Sequence, residues 1–266
     1  MNQPIKLLCI CTMNRYILCI IFLTVLRLGC LRKPINPPLR PRNTPLLRKP
    51  HDQKWLFVFG MGRSGSTTLK NMLNQVPGIY IGGELEGFME SVIESLRLFE
   101  KNRRSIENMA NPNGHYKKTP LKMHMALQNV LKTYLGDVPQ NRYIGFKEVR
   151  YFDIDQFNKI FPGAKIIMNW RKNISKLIQS QIDAHFDYPI PYNRAELFKT
   201  KMENTSKTMN DTFGLPLEDF TVENFNRLLT WLGIRGCHYT AVLHSNKNGY
   251  EQDSSRVLEG KCIFEE

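Results

Sequence analysis

The chain has 266 residues, of which 42% are hydrophobic and 11% aromatic, and its formal net charge is +13. Apolar content of this order excludes a wholly disordered chain, and the length suits one large α/β domain or two small ones. The positive charge suits a nucleic acid, a membrane surface, or an acidic polymer or nucleotide, and alone selects none of them. Much of the excess lies in one short segment near the N-terminus, which weakens any argument from the total charge. No nucleic-acid partner is predicted.

The N-terminal region contains the apolar run YILCIIFLTVL at 16–26, flanked by Arg15 and Arg27. With its apolar neighbours the run approaches the length of a membrane span, so residues 1–31 are predicted to be a retained signal-anchor or a cleaved signal peptide. More basic residues follow the run than precede it, which by the positive-inside tendency argues against a lumenal C-terminal domain. Residues 32–53 are rich in proline and basic residues, which predicts an extended stem.

Residues 54–266 are predicted to form one domain in which strands and helices alternate. The predicted strands are KWLFVFG (54–60), GIYIGGE (78–84), NRYIGFKEVRYF (141–152) and FPGAKIIMNWRKN (161–173). The predicted helices are 66–76, 87–110, 122–135, 174–186 and 221–234. This alternation predicts an α/β three-layer α/β/α fold with a mainly parallel central sheet. In such a fold, ligands bind at the carboxyl ends of the strands.

The segment FVFGMGRSGSTTL at 57–69 has the form of a phosphate-binding loop between a strand and a helix. Gly60 and Gly65 have the Gly-x-x-x-x-Gly spacing, which lets backbone N–H groups converge at a helix N-terminus. The next position, a lysine in loops that bind magnesium-nucleotides, is Ser66. Arg63 lies within the loop and can supply the missing cation.

A nucleoside-triphosphate site also needs an Asp or Glu at the end of a later apolar strand, where it holds magnesium. The strand AKIIMN (164–169) is followed instead by Trp170, Arg171 and Lys172. Cations at this position suit direct neutralisation of phosphate, so we predict no metal site. A P-loop nucleotide or nucleoside kinase is therefore the less favoured alternative. A non-catalytic anion-binding module anchored to a membrane is another.

Two motifs resemble those of the sulfotransferases that use 3′-phosphoadenosine 5′-phosphosulfate (PAPS). GMGRSGSTTL (60–69) is similar to their 5′-phosphosulfate loop, and NWRKNISKLIQSQ (169–181) to their 3′-phosphate motif, an Arg at a strand end with a Ser eight residues beyond. The resemblance implies a P-loop NTPase-like sulfotransferase fold with PAPS as co-substrate and no metal. The residues it implies for binding are Arg63, Ser64, Gly65, Ser66, Thr67, Thr68, Arg171, Lys172 and Ser180. Ser180 is nine residues after Arg171 and eight after Lys172, so either cation could hold the 3′-phosphate.

The general base is also predicted from the resemblance, because Golgi members of the family often use a glutamate after the second strand. Glu84 directly follows that strand here, with Glu86 two residues on, and we select Glu84. A carboxylate that acts as a base near neutral pH needs partial burial. Arg63 is predicted to stabilise the leaving 5′-phosphate. The charged strand end KEVR (147–150) is predicted either to bind the acceptor or orient the sulfate, or to form a structural ion pair.

The same resemblance implies the location and the acceptor. We expect a single-pass type II protein of the Golgi membrane with a lumenal catalytic domain, or a secreted protein if the N-terminal segment is cleaved. The acceptor is expected to be a carbohydrate or another hydroxyl-bearing molecule. Cys237 and Cys262 would form a disulfide in such a compartment, or they are two unrelated buried thiols. Glycosylation sequons begin at Asn204 and Asn210, and a third, at Asn173, falls inside the 3′-phosphate motif.

Overall fold

The structure is a computed structural model that describes residues 53–85, 87–110, 119–136, 142–149, 154–242 and 262–263. All of them lie in the unit that spans Leu47–Glu266. Within these ranges, no helix combines the length and the apolar character that a membrane crossing requires. The predicted signal segment at 1–31 lies outside the described residues, as does nearly all of the predicted stem.

The elements are named here in chain order. The strands are β1 (Lys54–Gly60), β2 (Ile79–Gly82), β3 (Tyr143–Glu148), β4 (Lys165–Asn169), β5 (Thr212–Gly214), β6 (His238–Tyr239) and β7 (Cys262–Ile263). The helices are α1 (Ser66–Leu73), α2 (Phe88–Ala110), α3 (Thr119–Leu135), α4 (Ile154–Ile160), α5 (Ile174–Asp183), α6 (Tyr192–Thr208) and α7 (Val222–Trp231), with a short 3-10 helix at Leu217–Asp219.

Strand β1 lies at the centre of a five-stranded sheet with the order β2-β3-β1-β4-β5. Each neighbouring pair of these strands is parallel, so their carboxyl ends share one edge of the sheet. Six of the seven residues of β1 are buried. A strand covered on both faces must be apolar at successive positions, which is why KWLFVFG reads as a continuous apolar run.

The two faces of β1 point into two separate apolar clusters. Phe57 and Phe59 belong to a cluster with residues of α2, α3, α4, α5 and α6. Leu56 and Val58 belong to a cluster with residues of α1 and α7. Because alternate side chains of a strand point to opposite faces, this division places helices on both sides of the sheet. The predicted three-layer α/β/α fold is confirmed.

The predicted strands and helices are present, with shorter bounds at several ends. The strand predicted at 141–152 is Tyr143–Glu148, and the one predicted at 161–173 is Lys165–Asn169. The structure also contains α4, α6 and β5, which no pattern had indicated. Helix α6 was not predicted from the sequence because it buries only Ala195 and Met202. Its apolar stripe is therefore weak.

The antiparallel pair β6–β7 follows α7 and packs against α1 through Tyr239. The Tyr239 hydroxyl donates to the carbonyl of Met72 at 2.6 Å, and burial raises the pKa of this phenol well above its usual range. Cys237 is disulfide-bonded. Its predicted pairing with Cys262 stays a prediction, although β6–β7 pairing sets the backbone of Cys262 opposite Tyr239.

Strand β3 approaches β1 closely at Gly145. A Cβ at this position would lie 1.7 Å from the carbonyl oxygen of Leu56, which is backbone and cannot move aside. We therefore expect Gly145→Ala to destabilise the domain by at least the roughly 1–3 kcal/mol typical of overpacking. The free energy of unfolding in denaturant measures this loss.

Gly83→Ala is the matched control, because an added Cβ at Gly83 has nothing within 4 Å and its φ is not left-handed. It should unfold at the same denaturant concentration as the wild-type protein. If Gly145→Ala were as stable as this control, the close approach of β3 to β1 would not exist in solution.

Candidate active site

The phosphate loop runs from the end of β1 into α1. Gly65 is the N-cap of α1 and has φ 83°, a left-handed conformation that glycine adopts without strain. Arg63 also has a positive φ, 73°. A glycine N-cap has no side chain to bind the first N–H groups of the helix, so they face the loop as potential anion donors. The loop therefore has the backbone geometry predicted for binding phosphate.

The hydroxyl-bearing residues of the loop differ in exposure. Ser64 is fully buried, Ser66 is 4% exposed and Thr68 is 7% exposed, whereas Thr67 is half-buried. Both donors of Ser64 act within the protein: its amide bonds to the carbonyl of Met61 at 3.0 Å and its hydroxyl bonds to Asn169. Ser64 thus fixes the shape of the loop.

Asn169, the last residue of β4, connects the phosphate loop to two strands. Its side-chain oxygen accepts from Ser64 Oγ at 2.5 Å, and its side-chain nitrogen donates to the carbonyl of Leu215 at 2.9 Å. Its own carbonyl accepts from the amide of Met61 at 3.3 Å. Asn169 is fully buried, so these bonds are made without competition from water.

Arg63 of the loop reaches the helix that carries the 3′-phosphate motif. Its Nε donates to Ser180 Oγ on α5 at 3.0 Å. The neighbouring Gln181 donates to the carbonyl of Gly62 at 3.2 Å and accepts from the amide of Ile190. The structure thus brings Arg63 and Ser180 together, although they were predicted to hold different phosphates.

Arg171 and Lys172 both lie beside acidic residues of the 3-10 helix, Glu218 and Asp219. Lys172 Nζ binds Asp219 at 2.6 Å, on the surface. Arg171 is 20% exposed, and its nearest acidic atom is Glu218 Oε1 at 3.9 Å from Nε. The Nε atom is buried and, within the described part of the chain, makes no hydrogen bond. The two cations thus differ: Arg171 has a partly exposed guanidinium without a short acidic contact, whereas Lys172 Nζ is paired with Asp219.

Glu84 follows β2, and its Oε1 pairs with Nζ of Lys147, near the end of β3. Lys147 also donates to Thr67 Oγ1 at 3.4 Å, so it links the glutamate to the phosphate loop. The side chain of Lys147 is only 7% exposed and that of Glu84 is 39% exposed. Burial lowers the pKa of Lys70, the nearby Lys147 charge lowers it further, and Glu84 acts in the opposite sense.

Glu148, next to Lys147, has a different set of partners. It is buried, and its Oε2 accepts from the amides of Leu85 and Gly87 at 3.2 and 3.5 Å, while Oε1 accepts from the amide of Val149. Glu148 therefore holds the loop that follows Glu84. Lys147 pairs with Glu84 of the β2 side, and not with Glu148 of its own strand end. Arg150 lies outside the described residues, so the alternatives predicted for KEVR (147–150) stay predictions.

In the described ranges, the histidine, cysteine, aspartate and glutamate side chains include no group of three or more placed to share a metal ion. The cationic groups at the strand ends suit an anionic ligand instead. Arg63, Lys147 and Arg171 come from three different segments that meet at one edge of the sheet. This edge, with the phosphate loop at its centre, is the candidate active site.

A parallel sheet with helices on both faces and a phosphate loop after its central strand defines the P-loop-like α/β class. The family model described as "Sulfotransferase family" matches residues 56–213, more than half of the chain. The chain belongs to the sulfotransferase family. No curated protein matches it in a sequence comparison.

Solved structures of sulfotransferase domains are similar to the chain. One, from the Synechococcus PCC 7002 olefin synthase, has 21% identity and a TM-score of 0.45, and the match covers 71% of this chain and 77% of that one. Another, from the curacin biosynthetic pathway, has 16% identity and a TM-score of 0.40, with 68% and 74% covered. A sugar kinase from Janibacter has 15% identity and a TM-score of 0.36, with 69% and 96% covered. At these values the structural likenesses add nothing to the family assignment.

Three residues of the candidate site, Asn169, Glu218 and Lys147, were not selected as site residues from the sequence. Asn169 and Glu218 act through partners more than about 40 residues away in the chain, and no local pattern indicates such contacts. Lys147 was noticed as part of a charged strand end, but its pairing with Glu84 needs the strand order β2-β3-β1. That order places the end of β3 between Glu84 and the phosphate loop.

The bonds of Asn169 predict a specific loss of stability. Asn169→Ala would leave the Ser64 hydroxyl and the Leu215 carbonyl buried without their partner, at roughly 1–3 kcal/mol for each group. We expect the free energy of unfolding to fall accordingly, as measured by denaturant titration.

Asn129→Ala, on the exposed surface of α3, is the control and should change the free energy of unfolding by no more than about 0.5 kcal/mol. Equal stability of the two variants would mean that the Asn169 side chain does not hold the loop.

Proposed function

We propose that this protein transfers a sulfuryl group from PAPS to a hydroxyl group of a carbohydrate. The membership of the sulfotransferase family supports the reaction class. The observation that carries the proposal is the meeting of the lysine-free phosphate loop with Arg63, Lys147 and Arg171 at one edge of the sheet. Three cations there can neutralise two phosphate groups and the transferring group.

The residues present fit PAPS as a ligand. The N–H groups at the start of α1, after Gly65, suit the 5′-phosphosulfate, with Thr67 half-buried beside them. The exposed part of the Arg171 guanidinium suits the 3′-phosphate, and Lys172 Nζ is paired with Asp219, so we assign that role to Arg171 rather than Lys172. Ser180, whose Oγ accepts a hydrogen bond from Arg63 Nε, lies on α5, the helix that follows Arg171 and Lys172.

Arg63 is proposed to serve both phosphates. Its position in the phosphate loop suits the leaving 5′-phosphate, and its bond to Ser180 orients the serine hydroxyl toward the same region. Ser64 and Ser66 are buried, so we propose that Ser64 shapes the loop and that Ser66 and Thr68 contribute backbone N–H groups. PAPS, when bound, supplies the sulfuryl group and the leaving phosphate.

We propose Glu84 as the general base. Lys147 binds its Oε1, and among the described residues no hydrogen bond is made to Oε2. The second oxygen can therefore accept the proton of the acceptor hydroxyl. Lys147 lies between this carboxylate and Thr67 of the phosphate loop, where its charge can stabilise the transferring group. Its contact with Glu84 also fixes the orientation of the base.

The location is proposed on separate grounds. The apolar run at 16–26 supports insertion into the secretory pathway, and the disulfide at Cys237 supports an oxidising compartment. We therefore propose a Golgi membrane protein of type II orientation with a lumenal domain, or a secreted form. A carbohydrate acceptor fits this location.

Incubation with radiolabelled PAPS and a panel of desulfated glycans and tyrosine peptides tests the acceptor class.

Nucleotide binding distinguishes this proposal from a P-loop kinase. Calorimetric titration of the purified protein should show binding of adenosine 3′,5′-bisphosphate, because two phosphates can be neutralised by Arg63 and Arg171. ATP with magnesium is the comparison ligand and should bind more weakly. Tight binding of ATP-magnesium without binding of the bisphosphate would overturn the proposal in favour of a kinase.

The role of Glu84 is tested by Glu84→Gln. Loss of a general base should lower the rate of sulfate transfer by about 10²–10⁴-fold, while the affinity for the bisphosphate stays the same. Glu94→Gln, at an exposed position on α2, removes one negative charge as the control and should leave the rate unchanged. Wild-type turnover in Glu84→Gln would assign the base to another residue.

A further inference from the structure

The segment Leu217–Phe220, which we name the bridging segment, contacts both loops of the candidate site. A Cβ at Gly65 of the phosphate loop would lie 2.6 Å from Leu217 and 3.0 Å from Phe220. The same segment reaches the 3′-phosphate motif through Glu218 and Asp219. The amide of Leu217 bonds to the carbonyl of Trp170 at 2.8 Å, immediately before Arg171.

Glu218 binds the backbone of the 3′-phosphate motif with both carboxylate oxygens. Oε2 accepts from the amide of Lys172 at 2.8 Å and Oε1 accepts from the amide of Asn173 at 3.1 Å. Asn173 is the N-cap of α5, so these are amides at the entry to that helix. The distance from Glu218 Oε1 to Arg171 Nε is 3.9 Å, too long for a hydrogen bond.

We propose that Glu218 is a positioning residue that orders Arg171 for the 3′-phosphate. Its hydrogen bonds fix the backbone on the C-terminal side of Arg171, and its charge attracts the guanidinium without satisfying Nε. A long side chain that is already ordered loses less entropy when its ligand binds. The inference rests on the proposed function, because it concerns the 3′-phosphate of that ligand.

A competing role would be occlusion, in which the carboxylate occupies the cation that the phosphate needs. The distances favour positioning, because the two short contacts of Glu218 are to backbone amides and only the long one is to Arg171. Asp219 differs, since its carboxylate contacts the side chain of Lys172 on the surface. The two acids therefore contact different groups of the 3′-phosphate motif, Glu218 its backbone and Asp219 the side chain of Lys172.

The test compares Glu218→Gln with Glu223→Gln in the full chain by calorimetry. A glutamine can accept from one amide, but its NH₂ group would face the other donor. Glu218→Gln should weaken binding of adenosine 3′,5′-bisphosphate by about tenfold, the effect of one charge-assisted hydrogen bond. Binding of adenosine 5′-monophosphate, which lacks the 3′-phosphate, should be unchanged. Glu223→Gln, at an exposed position in the first turn of α7, removes one negative charge without touching the cations of the site and should bind both ligands like the wild-type protein.

Three other outcomes for Glu218→Gln would overturn the positioning role. Equal weakening for both nucleotides in Glu218→Gln would overturn the positioning role, since it would reflect a general loss of structure. Tighter binding of the bisphosphate would overturn it in favour of occlusion, and unchanged binding would also overturn it. If the wild-type protein itself showed no preference for the bisphosphate over the monophosphate, the proposed function would fail first, and the inference with it.

Discussion

The buried hydrogen bonds of Asn169 are the constraint on which the candidate site depends. One amide side chain at the end of β4 binds the phosphate loop after β1 and the backbone after β5. Because the amide is fully buried, each missing partner would leave a polar group without water, so the three segments are held in one arrangement. The positions of Arg63 and of the first N–H groups of α1 follow from the shape of this loop.

Acidic residues from neighbouring segments lie beside two of the cations around the phosphate loop. Glu84 pairs with Lys147 on the β3 side, and Glu218 lies beside Arg171 on the β4 side. Such pairing offsets part of the repulsion among positive groups at one strand edge, which would otherwise oppose folding. Burial lowers the pKa of Lys70 next to this edge, and the charge of Lys147 lowers it further. The protein thus presents a cationic edge whose charges are already ordered.

The sequence predicted the fold and the phosphate loop well, because both rest on local patterns. Each of these patterns lies within about a dozen residues of the sequence: the apolar run of β1, the glycine spacing of the phosphate loop and the apolar periodicity of α1. The family assignment agrees with that prediction. The contacts of Asn169 and Glu218 were not predictable, because they join residues more than 40 positions apart and depend on the strand order. The pairing of Arg63 with Ser180 was missed for the same reason.

The central position of β1 has a consequence for how such a protein can change over generations. Under the proposed function, the base and its lysine lie on the β2–β3 side of the phosphate loop, whereas the 3′-phosphate contacts lie on the β4–β5 side. Substitutions on the first side would then alter the surroundings of the proposed base and leave the proposed 3′-phosphate contacts on the second side in place. The sheet order thereby keeps the two proposed parts of the site on opposite sides of one central strand, where each can vary independently of the other.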